Sequence, residues 1–123
     1  MQPILVSTVS LNQIPLDWKG NTRRILDGLG DAAAHNPDVV LYPELSITGY
    51  GCEDAFHSID TASRAMAHLT QIAQESRRIL PGALIFVGLP LRRHERTYNC
   101  MAAIYSGRIR GFTAKQNLAG DGV

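Results

Sequence analysis

Apolar residues follow two rhythms along this chain of 123 residues. Three short continuous runs, ILVSTV at 4–9, DVVLY at 38–42 and ALIFV at 83–87, are rich in β-branched side chains, the pattern of strands covered on both faces. Between them the spacing changes to threes and fours. From Asp17 the apolar positions are Trp18, Ile25, Leu26, Leu29, Ala32 and Ala33; over 61–80 they are Ala62, Ala65, Met66, Leu69, Ile72, Ala73 and Ile79. Each set lays one stripe along a helix. Pro37 ends the first helix and Pro81-Gly82 the second, while Arg77 and Arg78 sit in the last turn, where the helix dipole favours cations.

Strand, helix, strand, helix, strand in this order predicts right-handed crossovers joining a largely parallel layer. After Val87 the grammar changes. The runs at 97–105 and 108–114 flank Ser106-Gly107, a turn short enough for a hairpin, so an antiparallel pair extends the sheet. The expected class is α/β: a mixed sheet with helices on one face. No repeat, low-complexity tract or linker interrupts it.

Length leaves room for one domain. Twelve Lys and Arg against eleven Asp and Glu give a net charge of +1, which provides no field to gather nucleic acid or anionic lipid. The N-terminus lacks a basic leader, and its apolar run breaks at Ser7 and Thr8, too early for a signal peptide or a membrane span. The compartment reads as cytoplasm, with no membrane partner. Cys52 and Cys100 are too few for a disulfide framework and read as free thiols. The four histidines, 35, 57, 68 and 94, show no pair at metal-ligand spacing, so no metal is expected.

Two segments carry candidate chemistry. PELSITGYGCED follows the second predicted strand, and at the C-terminal ends of strands in open α/β sheets ligands collect. Pro43 stiffens the backbone there and holds Tyr42 extended, so the Glu44 carboxylate projects from a fixed point; Gly49 and Gly51 permit backbone angles other residues resist. That placement suits a general base, although a lone loop glutamate is more often a solvated charge. Lys115 ends the last predicted strand as the chain enters KQNLAGDG. Near a carboxylate in a cleft it could stabilise an oxyanion; by itself it is an ordinary surface lysine. Tyr50 lies six residues after Glu44 in the same loop and is either a pocket wall or a packing aromatic. Gly28-Leu29-Gly30 falls inside a helical stripe, which removes the dinucleotide reading of G-x-G, and LRRHER at 91–96 reads as a basic solvated loop or a subunit contact.

Taken together, YPELSITGYGCED, RTYNC at 96–100 and AKQNLAGDG resemble, in order and spacing, signature segments of the nitrilase (carbon–nitrogen hydrolase) superfamily. GYGCED with KQNLAGDG resembles the branch formed by the glutamine-hydrolysing domains of glutamine-dependent NAD synthetases. The resemblance covers nearly the whole chain and implies an α-β-β-α sandwich, of which residues 1–123 supply about one β-layer with its two helices. It also implies a Glu-Lys-Cys triad acting on L-glutamine, with Glu44 as base and Lys115 as oxyanion stabiliser; the place of Tyr50 in the same loop as Glu44 makes it a candidate wall of the glutamine pocket.

The family's nucleophilic cysteine lies downstream of the lysine segment, and neither Cys52 nor Cys100 matches its position. Residues 1–123 are therefore expected to be the N-terminal portion of the amidase domain, inactive alone, with the ATP-dependent synthetase domain and its ATP and magnesium elsewhere. No cofactor is expected for these residues themselves. An uncovered apolar sheet face would favour association, so a homo-oligomer is expected. Two other readings stay open from sequence: a stand-alone amidase of the same superfamily, and a non-catalytic assembly module.

Overall fold

The computed structural model describes residues 1–118; the 119–123 end of the AKQNLAGDGV segment lies outside the described residues. The elements are β1 (Val6–Thr8), α1 (Trp18–Ala33), β2 (Val39–Leu41), α2 (Ile59–Ile79), β3 (Leu84–Arg93), β4 (Arg96–Tyr105) and β5 (Arg108–Ala114). A 3₁₀ turn at Glu53–His57 precedes α2. Both helices begin on side-chain caps, which satisfy N–H groups that the first turn leaves without a partner. Asp17 accepts the Gly20 N–H at 3.2 Å and Ser58 accepts the Asp60 N–H at 3.2 Å. Arg24 adds an ion pair to the Asp17 carboxylate at 3.0 Å, and that guanidinium with the Gly20 N–H holds the carboxyl below its ordinary range.

All five strands form one sheet in sequence order. β1, β2 and β3 run parallel, and β3, β4 and β5 antiparallel, giving the mixed α/β sheet expected from the change of rhythm after Val87. Val40, Ile85, Val87, Leu89, Ala102 and Ile104 alternate onto one face. There they close a core with Ile25 and Leu29 of α1 and Leu69 and Ile72 of α2. Residues of the opposite parity, among them Val6, Leu41 and Tyr105, leave the other face exposed.

Two local readings change. β1 is shorter than the run at 4–9 and is not covered on both faces: it is an edge strand, and Ile4, Leu5 and Val6 face outward. LRRHER is not a loop. β3 continues to Arg93 because β4 pairs with it as far as Arg93 opposite Arg96, leaving His94 and Glu95 as the turn. Ser106 and Gly107 both take positive φ, 52° and 76°, the conformation that matches the twist of a two-residue hairpin.

Candidate active site

The second strand delivers Glu44 through a turn that rests on β3. Tyr42 N–H donates to Phe86 O at 3.0 Å, extending the parallel pairing beyond β2, and the Tyr42 hydroxyl donates to Ile25 O of α1 at 2.6 Å. Burial pushes that phenol far above its usual range, so it stays a donor. Pro43 then turns the chain, Leu45 takes φ +52°, and the turn closes through Gly49 N–H to Leu45 O at 2.9 Å and Ser46 Oγ to Pro43 O at 2.8 Å.

The turn is bonded to β3 at one residue. Gly88 N–H donates to Ser46 Oγ at 3.3 Å, and Ile47 N–H donates to Gly88 O at 3.1 Å. A Cβ at Gly88 would lie 2.7 Å from Pro43 O and 2.9 Å from the Glu44 carbonyl carbon, inside any real contact distance. Strand and turn can therefore touch only where the strand carries glycine.

The other half of the site comes from the β4–β5 edge. Lys115 N–H donates to Asn99 O at 2.7 Å, one step beyond β5, and its Nζ stands 3.1 Å from both oxygens of Glu44. Asn99 Nδ2 donates to Oε1 of the same carboxylate. The pair is open, with Glu44 35% and Lys115 40% exposed. An ion pair so exposed contributes about 0–1 kcal/mol. A non-glycine residue held at positive φ, as Leu45 is, costs about 1–3 kcal/mol. The surrounding hydrogen bonds, and not the ion pair, must hold the turn.

Glu44 and Lys115 line a cleft of about 380 Å³ with Tyr50, Phe56, Arg92 and Asn99. The carboxylate meets solvent and partners there, which removes the cost of leaving it unpaired in the core. Tyr50 is exposed into this cleft rather than packed in the core.

Behind the turn, Asn21 of α1 is completely buried. Its Nδ2 donates to Ile14 O at 2.8 Å and Ile47 O at 3.1 Å, and its Oδ1 accepts the Ile14 N–H at 3.0 Å. Gln13 Nε2 donates to Ser46 O at 2.6 Å. Gly49, at φ +83°, lets Pro15 Cα approach to 2.9 Å of where a Cβ would stand; Gly51 is not in the left-handed region, so only the first of the two glycines is needed for its angle.

Sequence reasoning passed over Gly88, Asn99 and Asn21. Each left a signal: a glycine directly after the ALIFV run with apolar residues beyond it, an asparagine inside the quoted RTYNC, and a polar residue at the place where the α1 stripe needs an apolar one. Gly28, set aside as a dinucleotide signal, packs against Val9, whose Cγ1 would lie 2.8 Å from an added Cβ.

Both cysteines are buried and unbonded to each other. Burial pushes the two thiols above their ordinary range, away from the thiolate a nucleophile needs. Cys52 Sγ donates to Thr48 O and Gly49 O, each at 3.3 Å, on the inner side of the loop. Among the described residues no group of three or more His, Cys, Asp or Glu could hold a metal ion, and no helix is long and apolar enough to cross a membrane.

Comparison with known proteins agrees with this architecture. A glutamine-dependent NAD(+) synthetase of Dictyostelium discoideum is 33% identical over 99% of this chain, and one of Oryza sativa subsp. indica is 35% identical over the same share. The chain spans only 17% and 16% of their lengths. Among solved structures, a glutamine-dependent NAD(+) synthetase from Cytophaga hutchinsonii superposes with a TM-score of 0.89 at 38% identity, covering 95% of this chain and 20% of that one. An amidase from Nesterenkonia sp., at 19% identity and a TM-score of 0.75 over 95% of this chain and 44% of its own, shares the fold. The carbon-nitrogen hydrolase family model matches residues 5–118. A β-sheet backed by two helices brings a glutamate and a lysine together at its open edge, and the chain belongs to the carbon–nitrogen hydrolase family.

Proposed function

We propose that residues 1–123 form the N-terminal portion of a glutamine-hydrolysing amidase domain within a glutamine-dependent NAD synthetase. The observation that carries this reading is the bidentate approach of Lys115 Nζ to Glu44, 3.1 Å to each oxygen, in an open cleft. The similarity to NAD synthetases over 99% of the chain supports the choice of glutamine as substrate.

In this reading Glu44 removes the proton of a cysteine thiol that residues outside this chain supply. The thiolate attacks the side-chain amide carbon of glutamine, and its sulfur–carbon bond forms as the carbonyl π electrons move to oxygen. Lys115 Nζ stabilises that oxyanion. Protonated Glu44 returns its proton to the leaving nitrogen, which departs as ammonia and leaves a thioester. Glu44 next takes a proton from water, whose hydroxide attacks the thioester and releases glutamate and the thiol. Tyr50 forms a wall of the substrate pocket. Residues 1–118 contribute two of the three catalytic groups, so alone they would not turn over glutamine.

The ammonia serves an ATP-dependent amidation of nicotinic acid adenine dinucleotide in a separate synthetase domain. Among the described residues no group of three or more His, Cys, Asp or Glu could hold a magnesium ion. The cytoplasm, where thiols stay reduced, suits two buried, unpaired cysteines. The exposed sheet face bearing Val6, Leu41 and Tyr105 supports self-association of the parent protein.

Ammonia release from glutamine by the full-length protein tests the reading. Glu44→Gln should lower the rate by roughly 10²–10⁴-fold, the range for loss of a positioned base. A variant within about two-fold of the unaltered protein would overturn it, since a positioned base cannot be dispensable on that scale.

A further inference from the structure

The amidase reading leaves two charged side chains of the cleft, Arg92 and Glu95, without a task. Arg92 lies on β3, half-buried, and lines the same cleft as Glu44 and Lys115. Register fixes its face. Pro90 stands opposite Asn99 and Arg92 opposite Thr97, so alternation puts Pro90, Arg92, Thr97 and Asn99 on the side where Asn99 holds Glu44. The other cation of the cleft, Lys115, is committed to Glu44, whereas among the described residues no carboxylate forms an ion pair with Arg92. Glu95, in the turn after β3, also lines the cleft and is not paired with it.

The spacing suits one kind of molecule. Two residues of strand separate the Arg92 level from the Asn99 level, about 7 Å. In an extended glutamine the α-carboxylate carbon is about 5 Å from the amide carbon at ordinary bond lengths. A substrate whose amide carbon is held beside Glu44 and Lys115 is therefore long enough to bring its far end within the reach of the Arg92 guanidinium on its three-carbon stem. A guanidinium is the side chain best matched to a carboxylate, through two parallel hydrogen bonds.

We propose that Arg92 is the specificity-determining residue of this cleft: it binds the α-carboxylate of the amide substrate, while Glu95 faces the α-ammonium, so that the site selects an amino-acid amide over a simple amide. This rests on the amidase reading above and names the feature of the substrate that is read.

The test uses the full-length protein and three amides: glutamine, glutaramate, which lacks the α-ammonium, and 4-aminobutanamide, which lacks the α-carboxylate. Arg92→Met should lower kcat/KM for glutamine and glutaramate by roughly 10–100-fold, mainly through KM, because the lost contact is made equally in ground and transition states. The rate with 4-aminobutanamide should stay within about two-fold, which also shows that the variant is folded. Arg92→Lys should recover part of the glutamine rate. Glu95→Gln should reverse the pattern, sparing glutaramate. An unaltered protein that hydrolyses glutamine, with Arg92→Met leaving glutamine kcat/KM within about two-fold, overturns the inference alone. So does an equal fall on all three amides in both Arg92 variants. Failure of the unaltered protein to hydrolyse glutamine instead overturns the amidase reading on which it stands.

Discussion

Gly88 lies directly beneath the backbone of Glu44: a single methyl group on this β3 residue would stand 2.9 Å from the Glu44 carbonyl carbon. The neighbours are backbone atoms of the Pro43–Leu45 turn, which cannot swing aside as a side-chain end can. Replacing Gly88 by alanine should therefore lift the turn off the strand. Overpacking of this kind costs about 1–3 kcal/mol. A misplacement of about 1 Å at a reacting group costs on the order of 10²-fold in rate. Gly88→Ala is expected to lower the denaturation midpoint modestly and glutamine hydrolysis severely. A variant with unchanged kcat would mean that the turn does not position the acting carboxylate.

Cys52 and Cys100 should be dispensable for chemistry. Both are buried with raised thiol pKa values, and the Cys52 hydrogen points at loop carbonyls instead of the cleft. Cys52→Ala and Cys100→Ala should each keep glutamine kcat within about three-fold, small cavities being the only change. Loss of a rapid thiol-labelling site together with activity in either variant would reassign the nucleophile to this chain.

His68 couples stability to pH. It stacks on Trp18 at 5.6 Å between ring centroids and shares a 2.8 Å hydrogen bond with Thr22 Oγ1. Burial first, and then the charge of Arg64, lower its pKa below 6.5. The folded state therefore binds this proton less readily than the unfolded state. The contribution of neutral His68 is complete above about pH 6.5 and is lost as pH falls towards the lower folded value. Thermal unfolding at pH 7.5 and 5.5 should show a smaller drop for His68→Gln than for the unaltered protein. An equal drop in both would remove His68 from the account.

Much of this molecule is legible in one dimension. The stripes ending at Pro37 and Pro81 locate α1 and α2 to within about three residues, because helix faces are set by neighbours three and four apart. The Ser106-Gly107 hairpin is equally local. Where a reading failed, the cause was distant. LRRHER looks like a loop until β4 pairs along it, and residues 4–9 look doubly covered although β1 is at the edge of a sheet whose second face stays exposed within the described residues.

By itself the sequence determined the order of strands and helices, the switch from parallel to antiparallel growth, and the two strand ends that carry Glu44 and Lys115. Only tertiary structure decided that these residues, 71 positions apart, meet at 3.1 Å, that Asn99 joins them, and that Gly88 is the point where the turn can rest. The physical reason is one of range. Periodicity and turn chemistry act between neighbours, whereas the meeting of two side chains depends on strand register and on where one backbone leaves room for another.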